Sequence, residues 1–139
     1  VVTKGAVARV IQMSISVDDQ EAMEFDGDGI VLATPTGTTA YSMSAGGPIV
    51  EPGAENIIVT PICAHSMSIR SLVLARDRAI TTRIGRIGKR SAFLSVDGGK
   101  AFRLSAEDEV IVTASNRSIQ LIRLKDTSFY GVLNHKFQG

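Results

Sequence analysis

The chain has 139 residues, of which 44% are hydrophobic, and a formal net charge of +1. This length supports one domain with its own core and is too short to suggest two. The small charge gives no general attraction to nucleic acid or to a membrane surface, so we expect neither as a partner. No apolar run approaches the roughly 20 residues of a membrane span. The single cysteine, Cys63, cannot form an internal disulfide and fits a reducing, cytoplasmic setting.

Residues 7–17 alternate between apolar and polar side chains, which predicts a half-buried strand. Arg9 shares the apolar face near the start of this strand. A buried guanidinium needs an acid or an anionic ligand, whereas at a strand end its long side chain can reach solvent. Both interpretations of Arg9 stay open. The turn Asp18-Asp19 then leads into a second strand over residues 22–26, forming a hairpin.

The sequence Asp26-Gly27-Asp28-Gly29 precedes a strand over residues 30–33. It does not fit a calcium-binding loop, because the third ligand position and the distal glutamate are absent. By this pattern alone, Asp28 is an ordinary acidic residue in a turn.

Residues 34–48, with the sequence Thr-Pro-Thr-Gly-Thr-Thr-Ala-Tyr-Ser-Met-Ser-Ala-Gly-Gly-Pro, predict a tight loop and one or two turns of helix. We expect Thr36 and Thr38 to cap free amides, Gly37 to allow the bend, and the Gly-Gly-Pro at the end to stop the helix. The small and hydroxylated side chains favour two interpretations equally: a nucleotide site at the helix start, or close packing against a sheet. A P-loop is excluded because no lysine follows the glycine.

After this segment we predict a buried strand over residues 57–60 and a loop over residues 61–70 that contains His65. No histidine and cysteine cluster has metal-ligand spacing, so we expect no protein-held metal. From residue 72 onward the pattern predicts a β-meander, with strands over residues 72–75, 79–84, 91–96, 101–104, 109–114 and 119–124. Apolar residues at helical spacing predict a C-terminal helix that docks on the sheet or on another domain; they are Phe129, Val132, Leu133 and Phe137.

Residues 28–48 resemble the signature of the NAD kinase family, in which Thr-Pro-Thr-Gly-Ser/Thr-Thr-Ala-Tyr-Ser-Leu-Ser-Ala-Gly-Gly-Pro is highly specific. Shorter matches occur at residues 4–9, 60–63, 65–70, 96–98 and 128–130. The resemblance runs along the whole chain, but it covers only the C-terminal half of the family. We therefore expect the N-terminal nucleotide-binding domain, whose Gly-Gly-Asp-Gly motif carries the catalytic aspartate, to lie outside this chain, together with an Asn-Glu/Asp pair.

The resemblance implies an all-β fold over residues 1–139, an atypical β-sandwich of about ten short strands with one or two short helices. It implies transfer of the γ-phosphoryl group of ATP, or of polyphosphate, to the adenosine ribose 2′-hydroxyl of NAD, which gives NADP. Magnesium would accompany the ATP phosphates without being held by this chain, and no tightly bound cofactor is expected. The implied partners are NAD and ATP, and the implied assembly is a homo-dimer or a homo-tetramer.

By resemblance, the NAD-binding residues are Thr39, Ala40, Tyr41, Ser42, Ser44, Asp28 and Arg9. A second group would act across a subunit interface, and it comprises Asp26, Cys63, Ala64 and His65. Asp26 departs from the arginine often found at its position, so no phosphate contact is carried over to it. No catalytic residue is assigned, because the proton acceptor belongs to the other half. We expect the chain alone to be inactive.

Two other functions remain open. Related lipid kinases of the diacylglycerol and sphingosine types share the two-domain plan, although the run from Ala40 to Pro48 favours the dinucleotide enzyme. A non-enzymatic nucleotide-binding or oligomerisation module also fits a chain without the catalytic motif. Residues upstream of Val1 distinguish them, because a Gly-Gly-Asp-Gly motif there indicates a kinase.

Overall fold

The computed structural model describes residues 1–5, 10–87, 91–120, 122, 124 and 128–137. Within these residues the strands are β1 Val2–Lys4, β2 Ile11–Val17, β3 Gln20–Gly27, β4 Gly29–Ala33, β5 Asn56–Ile62, β6 Leu72–Ala75, β7 Ile80–Ile84, β8 Ala92–Leu94, β9 Phe102–Leu104 and β10 Glu109–Val112. A 3-10 turn spans Thr36–Thr39, and the two α-helices are α1 Tyr41–Ser44 and α2 Phe129–Phe137.

The strands form two antiparallel sheets that share one core. The six-stranded sheet has the order β6-β5-β4-β1-β8-β9, and the four-stranded sheet has the order β10-β7-β2-β3. Alternation along β2 turns fully buried Ile11, Met13 and Ile15 inward. They belong to the same cluster as Val2 and Val59 of the other sheet. The all-β sandwich prediction is confirmed.

The outer face of the six-stranded sheet is also buried along β5. Ile57 and Val59 point into the core, so the alternate residues Ile58, Thr60 and Ile62 point to the opposite face. These three side chains are nevertheless 0–7% exposed. Other parts of the chain therefore cover this face, and the 34–48 segment is one of them.

The central position of β1 was not predicted. This strand pairs with β4 through Val2 and Thr3, and with β8 through Val2, Thr3 and Lys4. Three residues are too few to show an alternating pattern, so only the pairing reveals the strand. Because β1 joins β4 to β8, it holds the six-stranded sheet together.

The meander predicted from residue 72 onward is wrong. β6, β8 and β9 belong to the six-stranded sheet, whereas β7 and β10 belong to the four-stranded sheet. Among the strands described from residue 72 onward, only β8 and β9 are consecutive and pair with each other. Strands of both sheets carry one apolar face, so the sequence pattern does not indicate which sheet a strand joins.

The last predicted strand, over residues 119–124, is also not formed where the structure describes it. Residues 119, 120, 122 and 124 lie outside any strand, and Ile119, Ile122 and Leu124 are 87–93% exposed. An isolated extended segment leaves its backbone groups without partners, so a strand pattern alone does not produce a strand.

Several local predictions are confirmed. Asp18 and Asp19 have φ values of 49° and 63°, as a two-residue turn between β2 and β3 requires. β2 begins at Ile11, and residues 7–9 of its predicted start lie outside the described residues. α2 forms at the predicted place. In the described part of the chain, no helix is long and apolar enough to cross a membrane.

Candidate functional site

The 34–48 segment forms the predicted loop and short helix, but neither the 3-10 turn nor α1 has a side-chain cap. After β4, the 3-10 turn leads through Ala40 into the single turn of α1. The Thr34 hydroxyl accepts a hydrogen bond from the Gly37 amide at 3.3 Å. Thr38 instead donates to the Pro35 carbonyl at 2.7 Å and accepts from the Val50 amide at 3.3 Å. The prediction that Thr36 and Thr38 cap the amides is wrong, because Thr38 points into the interior.

A buried hydroxyl pair fixes α1 to the sheet. Ser42 Oγ lies 2.9 Å from Thr60 Oγ1 of β5, and both side chains are fully or almost fully buried. The Gly47 amide donates to the Ser42 carbonyl at 2.8 Å, and Gly46 ends the helix in a left-handed conformation with φ 82°. Ser42 therefore anchors the helix, and its hydroxyl is turned away from any ligand on the outer surface.

The other predicted residues of this segment face outward. Thr39, Ala40, Tyr41 and Ser44 are exposed, and the Tyr41 side chain is 48% exposed. From the end of the 3-10 turn to the end of α1, they present an aromatic ring, two aliphatic hydroxyls and one small residue. Such a surface combines stacking and hydrogen bonding, which are the interactions that a nucleoside offers.

A second group of predicted residues meets at the junction of β3 and β4. The Asp28 amide donates to the Ile62 carbonyl at 2.9 Å, and the His65 amide donates to the Asp26 carbonyl at 2.9 Å. These bonds place the loop that follows β5 beside both aspartates. Cys63 and His65 are exposed, and Ala64 packs against the core.

Lys4 lies in this second group, although the sequence did not indicate it. Its Nζ is 2.7 Å from Asp28 Oδ1, and its backbone amide donates to the Asp28 carbonyl at 2.9 Å. Lys4 begins one of the stretches that resemble the NAD kinase family. Nothing in that stretch indicated a contact with Asp28, because the pairing of β1 with β4 creates it.

β5 connects the two groups. Thr60 bonds to Ser42 of α1, and Ile62 bonds to Asp28. Two residues of a strand span roughly 7 Å, so the anchors of the two groups are close together. Arg9, the remaining predicted NAD-binding residue, lies outside the described residues.

Two cavities adjoin the 34–48 segment. One of about 180 Å³ lies between this segment and α2, and its lining includes Thr39, Met43, Val132 and Lys136. The second, of about 610 Å³, lies at the other end of the segment and includes Arg76 among its lining residues. Both the 34–48 segment and α2 line the smaller cavity, so the C-terminal helix lies near this segment.

Within the described ranges, no three histidine, cysteine, aspartate or glutamate side chains come together in a way that could hold a metal ion.

Comparison with known proteins identifies the family. Residues 1–124 match the family described as ATP-NAD kinase C-terminal domain. The chain belongs to this family. It is 43% identical over 138 residues to an NAD kinase of Carboxydothermus hydrogenoformans, covering 99% of this chain and 49% of that protein. The chain spans about half the length of the curated relatives it matches.

Solved structures of the family share the fold. The crystal structure of yeast NADH kinase complexed with NADH superposes with a TM-score of 0.75 and 39% identity, covering 81% of this chain and 32% of that chain. An NAD kinase from Archaeoglobus fulgidus in complex with ATP gives a TM-score of 0.71 and 30% identity, covering 83% of this chain and 43% of that one. The resemblance inferred from residues 28–48 is confirmed by these matches.

Proposed function

We propose that this chain is the NAD-binding half of an NAD kinase, which transfers the γ-phosphoryl group of ATP or polyphosphate to the adenosine ribose 2′-hydroxyl of NAD. The main support is the set of exposed residues Thr39, Ala40, Tyr41 and Ser44 in a chain of the NAD kinase C-terminal domain family. The helix α1 is anchored at Thr60 and Asp28 at Ile62, two residues apart on β5. The two structural neighbours add support, since one is a complex with NADH and the other is a complex with ATP.

In this proposal the chain contributes binding and positioning. Phosphoryl transfer needs the accepting hydroxyl in line with the phosphoryl group, and fixing that geometry lowers the barrier substantially. The Tyr41 ring packs beside the adenosine, and the hydroxyls of Thr39 and Ser44 form hydrogen bonds with the polar groups of the adenosine. The Asp28 carboxylate accepts hydrogen bonds from ribose hydroxyls. Arg9 completes the pocket. Ser42 contributes indirectly, by fixing α1 to Thr60.

The remaining chemistry belongs to a second, N-terminal domain. The 139 residues contain no Gly-Gly-Asp-Gly motif, so the acid that accepts the hydroxyl proton lies elsewhere. Magnesium binds with the ATP phosphates and offsets their charge. No residue of this chain is assigned a catalytic role.

We also propose that the active assembly is a homo-dimer or a homo-tetramer with shared sites. The loop over residues 63–68 is the element that would reach a neighbouring subunit. Two observations support this role. The loop lies against Asp26, and its side chains Cys63, His65 and Met67 are exposed. Native mass spectrometry of the full-length protein tests the assembly, and a fully active monomer would contradict it.

An activity assay with two forms of the protein tests the function. We expect the full-length protein that contains this chain to form NADP from NAD and ATP, at a turnover of about 1 per second or more. The isolated 139 residues should form none. Phosphorylation of diacylglycerol or sphingosine instead of NAD would favour a lipid kinase, and absence of transfer to any of these acceptors would favour a non-enzymatic module.

A further inference from the structure

The Asp28 carboxylate has a single bonded side chain in the described part of the protein, and that side chain is Lys4. The Nζ to Oδ1 distance is 2.7 Å, within the range of a charge-assisted hydrogen bond. The two side chains are 30% and 34% exposed, so solvent screens the pair and it contributes little to folding. The pair is therefore better explained by what it does to the carboxylate than by stability.

The backbone on both sides of the pair is held rigidly. Asp28 accepts a bond from the Lys4 amide and donates its own amide to the Ile62 carbonyl, each at 2.9 Å. Thr3 pairs with Gly29 in the ladder between β1 and β4, and a Cβ atom at Gly29 would collide with the Val2 carbonyl oxygen. Neither backbone can shift without breaking the sheet. The backbone positions of Lys4 and Asp28 are therefore fixed relative to each other, which keeps the ammonium group close to the carboxylate.

The ammonium group also changes the charge that a ligand meets. Asp26 and Asp28 lie two residues apart at this junction, and both carry carboxylates. A dinucleotide brings a negatively charged diphosphate, which uncompensated carboxylates repel. Lys4 offsets the charge of Asp28 and occupies Oδ1. The second oxygen, Oδ2, is left to accept hydrogen bonds from ligand hydroxyls.

We infer that Lys4 is a positioning residue of the dinucleotide site: its ammonium group orients the Asp28 carboxylate and offsets its charge for the bound NAD. This inference rests on the proposed function, because it assigns Lys4 a role in the NAD site that includes Asp28. Lys4 acts through Asp28 and takes no part in the transfer of the phosphoryl group.

A double-mutant cycle in the full-length protein tests this role. Lys4→Met keeps the length of the side chain and removes the charge, and it should raise the KM for NAD about tenfold. The KM for ATP and kcat should stay within about twofold of wild type. Lys4→Arg should restore most of the NAD affinity. In an Asp28→Asn background, Lys4→Met should change the KM for NAD by less than about twofold, because its target is already lost.

A matched control is Arg78→Met, which breaks a comparable exposed ion pair with Asp18, 2.8 Å long, away from the site. It should leave every kinetic constant unchanged. Equal and additive effects of Lys4→Met in both backgrounds, or no effect on the KM for NAD in the wild-type background, would overturn the inference while leaving the proposed function intact. If Asp28→Asn itself leaves the KM for NAD unchanged, the assignment of Asp28 to the site fails, and the role of Lys4 fails with it.

Discussion

Tyr41 and Ser42 are adjacent in sequence and have opposite environments. The Tyr41 ring is 48% exposed, whereas Ser42 is 1% exposed and bonds to Thr60. The sequence could predict that a run of hydroxylated residues either binds a ligand or packs on a sheet, and the structure contains both. The sequence could not predict which hydroxyl faces outward and which packs on the sheet. Packing of Ser42 depends on Thr60, which lies 18 residues further along the chain.

The first prediction concerns Tyr41 in the full-length protein. Tyr41→Ala removes the ring and its hydroxyl, so we expect a higher KM for NAD and a nearly unchanged KM for ATP. The loss should be roughly 1 to 2 kcal/mol if stacking and one hydrogen bond are lost together. Steady-state kinetics with each substrate varied in turn measure both values.

Tyr130→Ala is the control for this prediction, because Tyr130 is also an exposed tyrosine, 62% exposed, but lies on α2. It should leave both constants unchanged. Equal losses for NAD and ATP in Tyr41→Ala would indicate that the ring supports the structure and does not contact the dinucleotide.

At the scale of elements, close packing fixes the helix that presents the site. A Cβ atom at Gly47 would collide with Ser42 Oγ and come within 2.6 Å of Thr60 Oγ1. The sequence predicted that the Gly-Gly-Pro run stops the helix. It did not predict that Gly47 must lack a side chain for α1 to reach β5, because that requirement arises from a contact between distant segments.

Gly47→Ala should therefore destabilise the protein by roughly 1 to 3 kcal/mol, the usual range for overpacking. Gly53→Ala is the matched control, since a Cβ atom there meets nothing within 4 Å and the residue has no positive φ. This second change should be neutral or slightly stabilising. Urea unfolding at constant m-value compares them, and equal midpoints for the two variants would contradict the packing argument.

A carboxylate in the turn between β2 and β3 should make the stability of the fold depend on pH. Hydrogen bonds from the Ala79 amide and, second, from the Arg78 side chain lower the pKa of Asp18 below its ordinary value of 3.8. A carboxyl with a lowered pKa in the folded state stabilises that state above its unfolded pKa, and this contribution is lost as the pH falls through the folded value. Asp18→Asn should thus be less stable than wild type at pH 7, and the difference should shrink below about pH 4.

Denaturant unfolding of both proteins between pH 7 and pH 2.5 measures this difference. Asp19→Asn is the control, because Asp19 also has a positive φ and its side chain has no bonded partner among the described residues. That variant should show no such pH dependence. A difference for Asp18→Asn that stays constant with pH would mean that the two hydrogen bonds do not depend on the charge of the carboxylate.

At the scale of the whole molecule, the resemblance to the NAD kinase family implied a β-sandwich, and the structure has two antiparallel sheets. Nine of the ten strands in the described part of the chain overlap with predictions, which cover residues 7–17, 22–26, 30–33, 57–60, 72–75, 79–84, 91–96, 101–104 and 109–114. The arrangement of the strands in the two sheets could not be predicted. β1 shows no pattern of its own, and the sequence pattern does not indicate how β6 to β10 are divided between the two sheets.

This assembly explains why the site residues come together. Lys4 and Asp28 meet through pairing of β1 with β4, and Asp26 and His65 meet because the loop after β5 folds back on β3. In the sequence these residues are spread over 62 positions. Alternation and turn signals describe single elements, so only the resemblance to the NAD kinase family linked Asp28 to the 34–48 segment before the structure did.

A titration of the full-length protein with NAD, followed by nuclear magnetic resonance, tests the site most directly. Only the 139 residues of this chain are labelled with ¹⁵N. We expect the amide signals of Thr39, Ala40, Tyr41 and Asp28 to shift together along one saturable binding curve. The signal of Gly53, which lies in an open turn, should stay in place. Saturable NAD binding that leaves these four signals unchanged, or that shifts only residues around the larger cavity near Arg76, would contradict the proposed dinucleotide site.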